Sequence, residues 1–343
     1  MKRLLRSRRF QAIVSIVLAA GLMAFFLSRV SLRDIGQQIA AASPGWLAAS
    51  VGIALSIFAF RSIRWTWILR PVARVPFFPA FRATAVGFAA NTVLPARAGE
   101  VLRPAMLARE RGLPFSALLA SIVFERVLDL LAQLTFLGIA LISPSSATMG
   151  PLGSGRVRWI VAAVAGTAIA ISLFAAVWRR TTERFFEQLF RLLPERFRPA
   201  ARHAAHAFLD GFASLKSPRL LALVAAGSFG MWLVINLQIY SVMRAFGLHL
   251  PLTAAFVVTT AGVMGLAVPT PGGLGSYHAA VQFALIDIFH VPVATATGVA
   301  LVAWAVSFVP ISILGFIFFA GSPLRLRGPG GSPEASPPAP DPR

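Results

Sequence analysis

Residues 265–276 read Gly265-Leu-Ala-Val-Pro-Thr-Pro-Gly-Gly-Leu-Gly-Ser276, and residues 87–100 read Gly87-Phe-Ala-Ala-Asn-Thr-Val-Leu-Pro-Ala-Arg-Ala-Gly-Glu100. Each is an apolar run halted by proline, followed by small residues and then by a new helical stretch. Proline removes a backbone donor and glycine loosens the chain, so a helix stops at both places. Both breaks interrupt apolar sequence, within Leu250–His290 and next to Phe81–Pro95. The fold turns on whether they are loops between rods or helices broken at membrane depth.

Outward from the breaks the chain is apolar. Of 343 residues, 57% are hydrophobic and 13% charged, against about 25% charged in soluble domains. Phe10–Ser28 and Val161–Trp178 carry no charge over 19 and 18 residues. Runs of that length cross the hydrocarbon core as helices, because in lipid every backbone polar group must be paired internally. Six spans are expected: Phe10–Ser28, Trp46–Leu69, Pro114–Ile142, Val157–Trp178, Arg219–Phe246 and Pro292–Ala320. Met1–Arg9 is a basic N-terminus. The first span is too long for a signal-peptide core and lacks a small-residue cleavage site, so it reads as uncleaved. Arg29–Pro44 reads as a polar connector. Gly321–Arg343 is rich in proline and glycine and is expected to be disordered, which leaves 10–320 as one membrane domain.

The net charge of +20 excludes no membrane role and points to no nucleic acid, because the bases lie between apolar runs and not on one polar face. Lys2 and Lys216 are the only lysines, so 30 of 32 bases are arginine, which grips phosphate with a planar fork. There is no cysteine, hence no disulfide and no thiolate metal site. No phosphate-loop or zinc-helix motif occurs, and no cofactor is expected. Bases cluster before the first span, across Arg179–Pro218 and after the last span, whereas Ser143–Gly155 has none. The positive-inside rule then puts both termini in the cytoplasm. Six spans satisfy that rule if Phe81–Gly112 leaves and returns on the inner side and Leu250–His290 on the outer side. Both become re-entrant broken-helix hairpins, giving about eight membrane helices; eight or more full spans are the alternative. Shifting the first break by 176 lays Pro95 on Pro271 and Gly99 on Gly275, which hints at an inverted repeat. Arg179–Pro218 reads as an amphipathic helix on anionic inner-leaflet lipid, or as a solvated helix on the bundle.

Three groups carry candidate chemistry. A helix restarted after a break offers free N–H groups and partial positive charge, which attract phosphate. Gly272, Gly273, Gly275 and Ser276 form such a restart. Arg97 and Arg103 bracket the other, with Glu100 between them to orient an arginine or meet a cationic head. Glu125, Arg126 and Asp129 lie on one stretch of the third span, where each intramembrane charge costs about 2.5–3.5 kcal/mol on insertion scales. They read equally as an ion-pair lock between helices or as the polar wall of a head-group path. Arg61, Arg64 and Trp65 read as snorkelling and interfacial anchors, with a phosphate-facing role open for Arg64. Asn91 is expected to bond a helix backbone. Ser276 and His278, two apart, cannot pair as nucleophile and base. His203 and His206 read as surface residues, and Asp287 as lying near the outer interface.

The ordered set Arg61-x-x-Arg-Trp, Gly87-Phe-x-x-Asn-x-x-Leu-Pro-x-Arg-x-Gly-Glu-x-x-Arg103, Ser121-x-x-x-Glu-Arg-x-x-Asp129 and Pro269-x-Pro-Gly-Gly-Leu-Gly-Ser276 resembles the transmembrane, flippase-like domain of bacterial lysylphosphatidylglycerol synthases over roughly residues 10–320. The resemblance implies a bundle of about eight helices in a cytoplasmic membrane and a role in moving or handling a polar-headed lipid. The synthases carry an aminoacyl-transfer domain after the membrane part. Here only the Pro/Gly-rich segment follows, so aminoacyl-lipid synthesis is not expected of this sequence alone. The leading expectation is a lipid transporter with a phosphate-bearing cargo and no catalytic residue. An intramembrane lipid-modifying enzyme using Glu125 and Asp129, or a scaffold for such an enzyme, are the alternatives. A homo-oligomer or an enzyme partner is left open.

Overall fold

A computed structural model describes residues 8–28, 30–94, 97–143 and 217–321, with the single positions 159 and 163. The span expected at Val157–Trp178, the amphipathic segment Arg179–Pro218, the loop Ser143–Gly155, the basic N-terminus Met1–Arg9 and the tail Gly321–Arg343 lie almost wholly outside the described residues. Among these there are ten α-helices and no strand. The protein is an all-α integral membrane protein.

In chain order the helices are α1 (Arg8–Leu27), α2 (Leu32–Ala41), α3 (Pro44–Leu69), α4 (Phe77–Val93), α5 (Gly99–Arg111), α6 (Phe115–Ile142), α7 (Pro218–Ala245), α8 (Leu252–Gly265), α9 (Ser276–Phe283) and α10 (Val293–Ala320). A 3-10 turn, Pro271–Gly273, joins α8 to α9, and a π-turn, Ala284–Ile288, extends α9. By length and composition α3, α7 and α10 are each able to cross a membrane. Helix α6 has 28 residues, but every 18-residue stretch of it contains Glu125, Arg126 and Asp129, so its passage depends on partners for those charges. The expected connector Arg29–Pro44 proves mostly helical: Ser31 caps α2 by accepting from the Asp34 N–H at 3.1 Å. Helix α2 turns 77° from α1. The sequence Ser31-Leu-Arg-Asp34 is a capping-box pattern, so the signal was present.

The two halves repeat one order: a long helix, two half-helices around a break, a long helix. Helices α3, α4, α5 and α6 match α7, α8, α9 and α10. The packing repeats as well, α4 lying against α10 and α8 against α6, with α3 and α7 forming the central pair. The central pair is antiparallel. The Ser43 N–H at the start of α3 donates to Ala245 O at the end of α7, while Arg64, further along α3, bonds Ser228 in the first half of α7. Equivalent helices that run antiparallel are related by a two-fold axis perpendicular to them, which is the geometry of an inverted repeat.

The hairpins consequently open at opposite ends of the bundle. Phe78, in the first turn of α4, packs edge-on against Phe318 near the end of α10. The second hairpin runs straight into the start of α10. Between these ends the tips meet. A Cβ at Gly272 would lie 3.2 Å from Thr92 O. The Trp304 Nε1–H, from the twelfth of the 28 residues of α10, donates to Gly272 O at 2.8 Å. Thr92 Oγ1 lies 3.2 Å from Ser312 Oγ on the same helix. The breaks therefore sit part-way along a helix roughly 42 Å long at about 1.5 Å per residue. Small residues allow this closeness: any Cβ at Gly99 would overlap Gly87 O, and one at Gly315 would overlap Ala85 O.

Candidate functional site

Helical spacing builds the polar centre. Arg61, Arg64 and Trp65 share one face of α3, and Ser121, Glu125 and Asp129, four apart, share one face of α6. The faces meet residue by residue. Trp65 Nε1–H donates to Ser121 Oγ at 2.9 Å, Arg61 Nη1 to Glu125 Oε1 at 3.0 Å, and Arg64 Nη1 to Asp129 Oδ1 at 2.6 Å. Helix α5 adds Arg103, whose Nη1 donates to Glu125 Oε2 at 3.1 Å and whose guanidinium lies 3.8 Å above the Trp65 ring. Arg126 Nη2 reaches Glu125 Oε1 at 2.8 Å and Asp129 Oδ2 at 3.0 Å. Helix α7 supplies Ser228 to Arg64 at 2.8 Å and Trp232 Nε1–H to Asp129 Oδ1 at 3.1 Å.

The snorkelling expected of Arg61, Arg64 and Trp65 is corrected by their burial: they are 6%, 0% and 0% exposed. A charge near a helix end suggested a side chain reaching for water, but carboxylates from a helix far along the chain pull these guanidinia inward. Four arginines surround two buried carboxylates, so the cluster keeps excess positive charge. Arg97 and Glu100 stand beside it, 3.5 Å apart, and Arg126 lies 3.9 Å from Glu100.

A cavity of about 490 Å³ lies against this cluster and between the hairpin tips. Arg61, Arg97, Glu100, Arg126 and Asp129 supply its ionised lining, while Phe58, Phe88, Ile235, Val263 and Phe308 stand for its apolar walls. Of the twelve residues expected from sequence to bind the head group, Asn91, Arg97, Glu100, Arg126, Asp129, Gly272 and Gly273 border the cavity. Arg64, Arg103, Glu125, Gly275 and Ser276 do not. Glu125 is fully buried as the hub of the arginines, with Arg64 and Arg103 behind it. Gly275 packs on α1, where a Cβ would lie 2.6 Å from Leu22 Cβ, and Ser276 Oγ pairs with Thr270 Oγ1 at 2.9 Å. Asn91 Oδ1 also accepts from the Gly99 N–H at 2.8 Å, the backbone role expected of it. Sequence reading overlooked Arg61, Gln133, Gln238 and Thr259 as cavity residues. For Arg61 the signal was its three-residue spacing from Arg64; the neutral residues had none.

Two backbone conformations mark the tips. Arg97 has φ 53°, a left-handed value unusual for a side-chain-bearing residue, and Gly272 has φ 58°. Strain of this kind, of order 1–3 kcal/mol for a non-glycine residue, is held by the surrounding fold. His278 is buried between Phe26 and Trp304, with ring centroids 5.2 and 5.5 Å away. No group of histidines and carboxylates able to hold a metal occurs among the described residues.

The family defined by the lysylphosphatidylglycerol synthase TM region matches residues 12–315. The chain belongs to that family. Both hairpins and the arginine–carboxylate cluster fall inside the matched region. Two relatives from Methanothermobacter thermautotrophicus are each called a UPF0104 membrane protein. One is 26% identical over 286 residues, 77% of this chain and 81% of its own length. Another is 25% identical over 292 residues, 79% and 82% respectively. A protein of Haloferax volcanii called Glycosyltransferase AglD is 27% identical over 139 residues, 40% of this chain and 22% of its own.

Proposed function

We propose that the protein is a lipid transporter of the cytoplasmic membrane, with both termini cytoplasmic, whose cargo carries a phosphate-bearing head. The observation that carries this is the cavity: arginines crowd one part of its wall while apolar side chains make most of the rest, as an amphiphile requires. Guanidinia in excess over carboxylates favour an anion, and they bind phosphate through paired N–H groups. Hairpins entering from opposite ends support a site reached from either side, in the manner of inverted-repeat transporters. Each oxygen of Glu125 and Asp129 faces a guanidinium within 3.6 Å, which suits counter-ions better than a free acid and base. On that ground transport is preferred to lipid chemistry.

The test is a scrambling measurement in proteoliposomes with head-labelled anionic lipids. Protein should open the inner-leaflet pool of label to an external quencher, and Arg126→Ala should slow it at least about tenfold. Folded protein that moves no anionic lipid would sink the proposal.

A further inference from the structure

Helix α2 is short, but its two faces differ. At about 100° per residue, Leu32, Ile35 and Ile39 fall within about 60° of arc, and Arg33, Asp34 and Gln37 lie on the opposite side. The middle of the apolar stripe is covered. Ile35 is 4% exposed where α2 lies along α10, and Gln38 Oε1 accepts from Thr295 Oγ1 at 3.1 Å. The two ends of the stripe are open: Leu32 is 73% and Ile39 37% exposed. An apolar stripe this clearly set apart from its charges faces apolar surroundings beyond α10 itself.

Chain geometry fixes where those surroundings are. Residues 28–31 alone separate α1 from α2. Even fully extended they reach about 14 Å, so α2 cannot leave the end of α1. Helix α1 presents exposed Ile16, Val17 and Phe25 along its length, as a helix in lipid does, and α2 turns 77° from it. A helix that turns close to a right angle at the end of a span runs along the lipid–water boundary. There an apolar stripe enters the acyl region while charges stay in water. Arg33 and Asp34 cancel, so burial of the stripe holds the helix and no anionic lipid is required.

We infer that α2 is an interfacial helix docked on the lipid–water boundary, at the end of the bundle where α3 and α10 begin, and that it sets the depth of the second break. Helix α1 links the two. A Cβ at Gly275 would lie 2.6 Å from Leu22 Cβ and 2.9 Å from Ala19 O. Ala19 precedes Leu27 by eight residues. The break therefore lies at most about 12 Å inside the boundary along α1, within a hydrocarbon core about 30 Å thick. Seating α2 thus fixes both the start of α10 and the tip of the second hairpin relative to the bilayer, whatever the protein carries.

The absence of cysteine allows depth to be measured with single spin labels in proteoliposomes. Labels at Leu32→Cys and Ile39→Cys should be reached by oxygen in preference to a water-soluble nickel chelate, and labels at Arg33→Cys and Gln37→Cys by the chelate. The ratio of the two accessibilities should differ at least about threefold between the faces. Val17→Cys, about 15 Å before the end of α1, should show a stronger oxygen preference than Leu32→Cys. All five sites are exposed, so no label displaces a core side chain. The pattern should be the same in phosphatidylcholine alone and with anionic lipid added. Chelate access at all four α2 sites overturns the inference in favour of a solvated helix, and oxygen preference at all four in favour of an immersed one. Shielding of Leu32 and Ile39 from both reagents shows protein covering them and equally overturns it. A pattern that needs anionic lipid overturns the apolar seat, and a label at Val17 no deeper than one at Leu32 overturns the depth assignment.

Discussion

Thr92 and Gly272 touch across the centre of the bundle, 180 positions apart in the chain. Thr92 belongs to the last turn of α4, Gly272 to the turn between α8 and α9, and a Cβ on the glycine would stand 3.3 Å from the threonine Cα. The contact joins two hairpins that open at opposite ends, so a cavity between their tips borders both halves of the repeat.

Because the sequence has no cysteine, single cysteines report topology cleanly. Gly112→Cys and Gly321→Cys should react with an impermeant thiol reagent from one side of the membrane, and Gly247→Cys and His290→Cys from the other. Labelling of positions 112 and 247 from the same side would rule out hairpins opening at opposite faces.

Gly99 is where the arms of the first hairpin press together, and any Cβ there runs into Gly87 O, which is backbone and cannot swing aside. Gly99→Ala should lower stability by about 1–3 kcal/mol, the usual range for overpacking. Gly138→Ala, with nothing within 4 Å, is the matched control and should be neutral or slightly stabilising. Thermal unfolding in detergent measures both, and equal midpoints would contradict the close approach.

Glu125 is fully buried against Arg61, Arg64, Arg103 and Arg126. Glu125→Gln leaves guanidinia without their counter-charge and should destabilise by about 3–5 kcal/mol. Arg103→Leu in the same chain should restore part of that loss, since it removes one of the stranded cations. A double-mutant cycle by chemical unfolding gives the coupling, and strict additivity would show that the pair does not interact.

Arg97 has a side chain 45% exposed, and its pairing with Glu100 is long at 3.5 Å. Arg97→Ala should therefore change stability by less than about 1 kcal/mol. Binding of anionic lipid should nonetheless weaken several-fold, and added salt should shrink the difference between parent and variant. Unchanged lipid retention in a stable Arg97→Ala protein would remove this residue from the head-group site.

Much of the helical order is written locally. The apolar run from Trp46 to Leu69 became α3, and that from Pro292 to Ala320 became α10, because lipid permits no other backbone pairing for them. The two breaks were legible through proline and glycine, whose effects on the backbone need no distant partner. Glu125, Arg126 and Asp129 announced a polar centre simply by being where charge is costly. What local sequence does not contain is direction in space. Arg64 looked like an end anchor until the packing of α3 against α6 and α7 laid Asp129 and Ser228 against it. Gln133, Gln238 and Thr259 are ordinary polar residues on apolar helices, and only the meeting of three helices brings them to the border of one cavity. Sequence determined which segments enter the membrane and where they break, because those follow from each residue's own solvation and torsions. Tertiary structure decided which charges neutralise one another and which face the cavity, because both depend on distances between helices far apart in the chain.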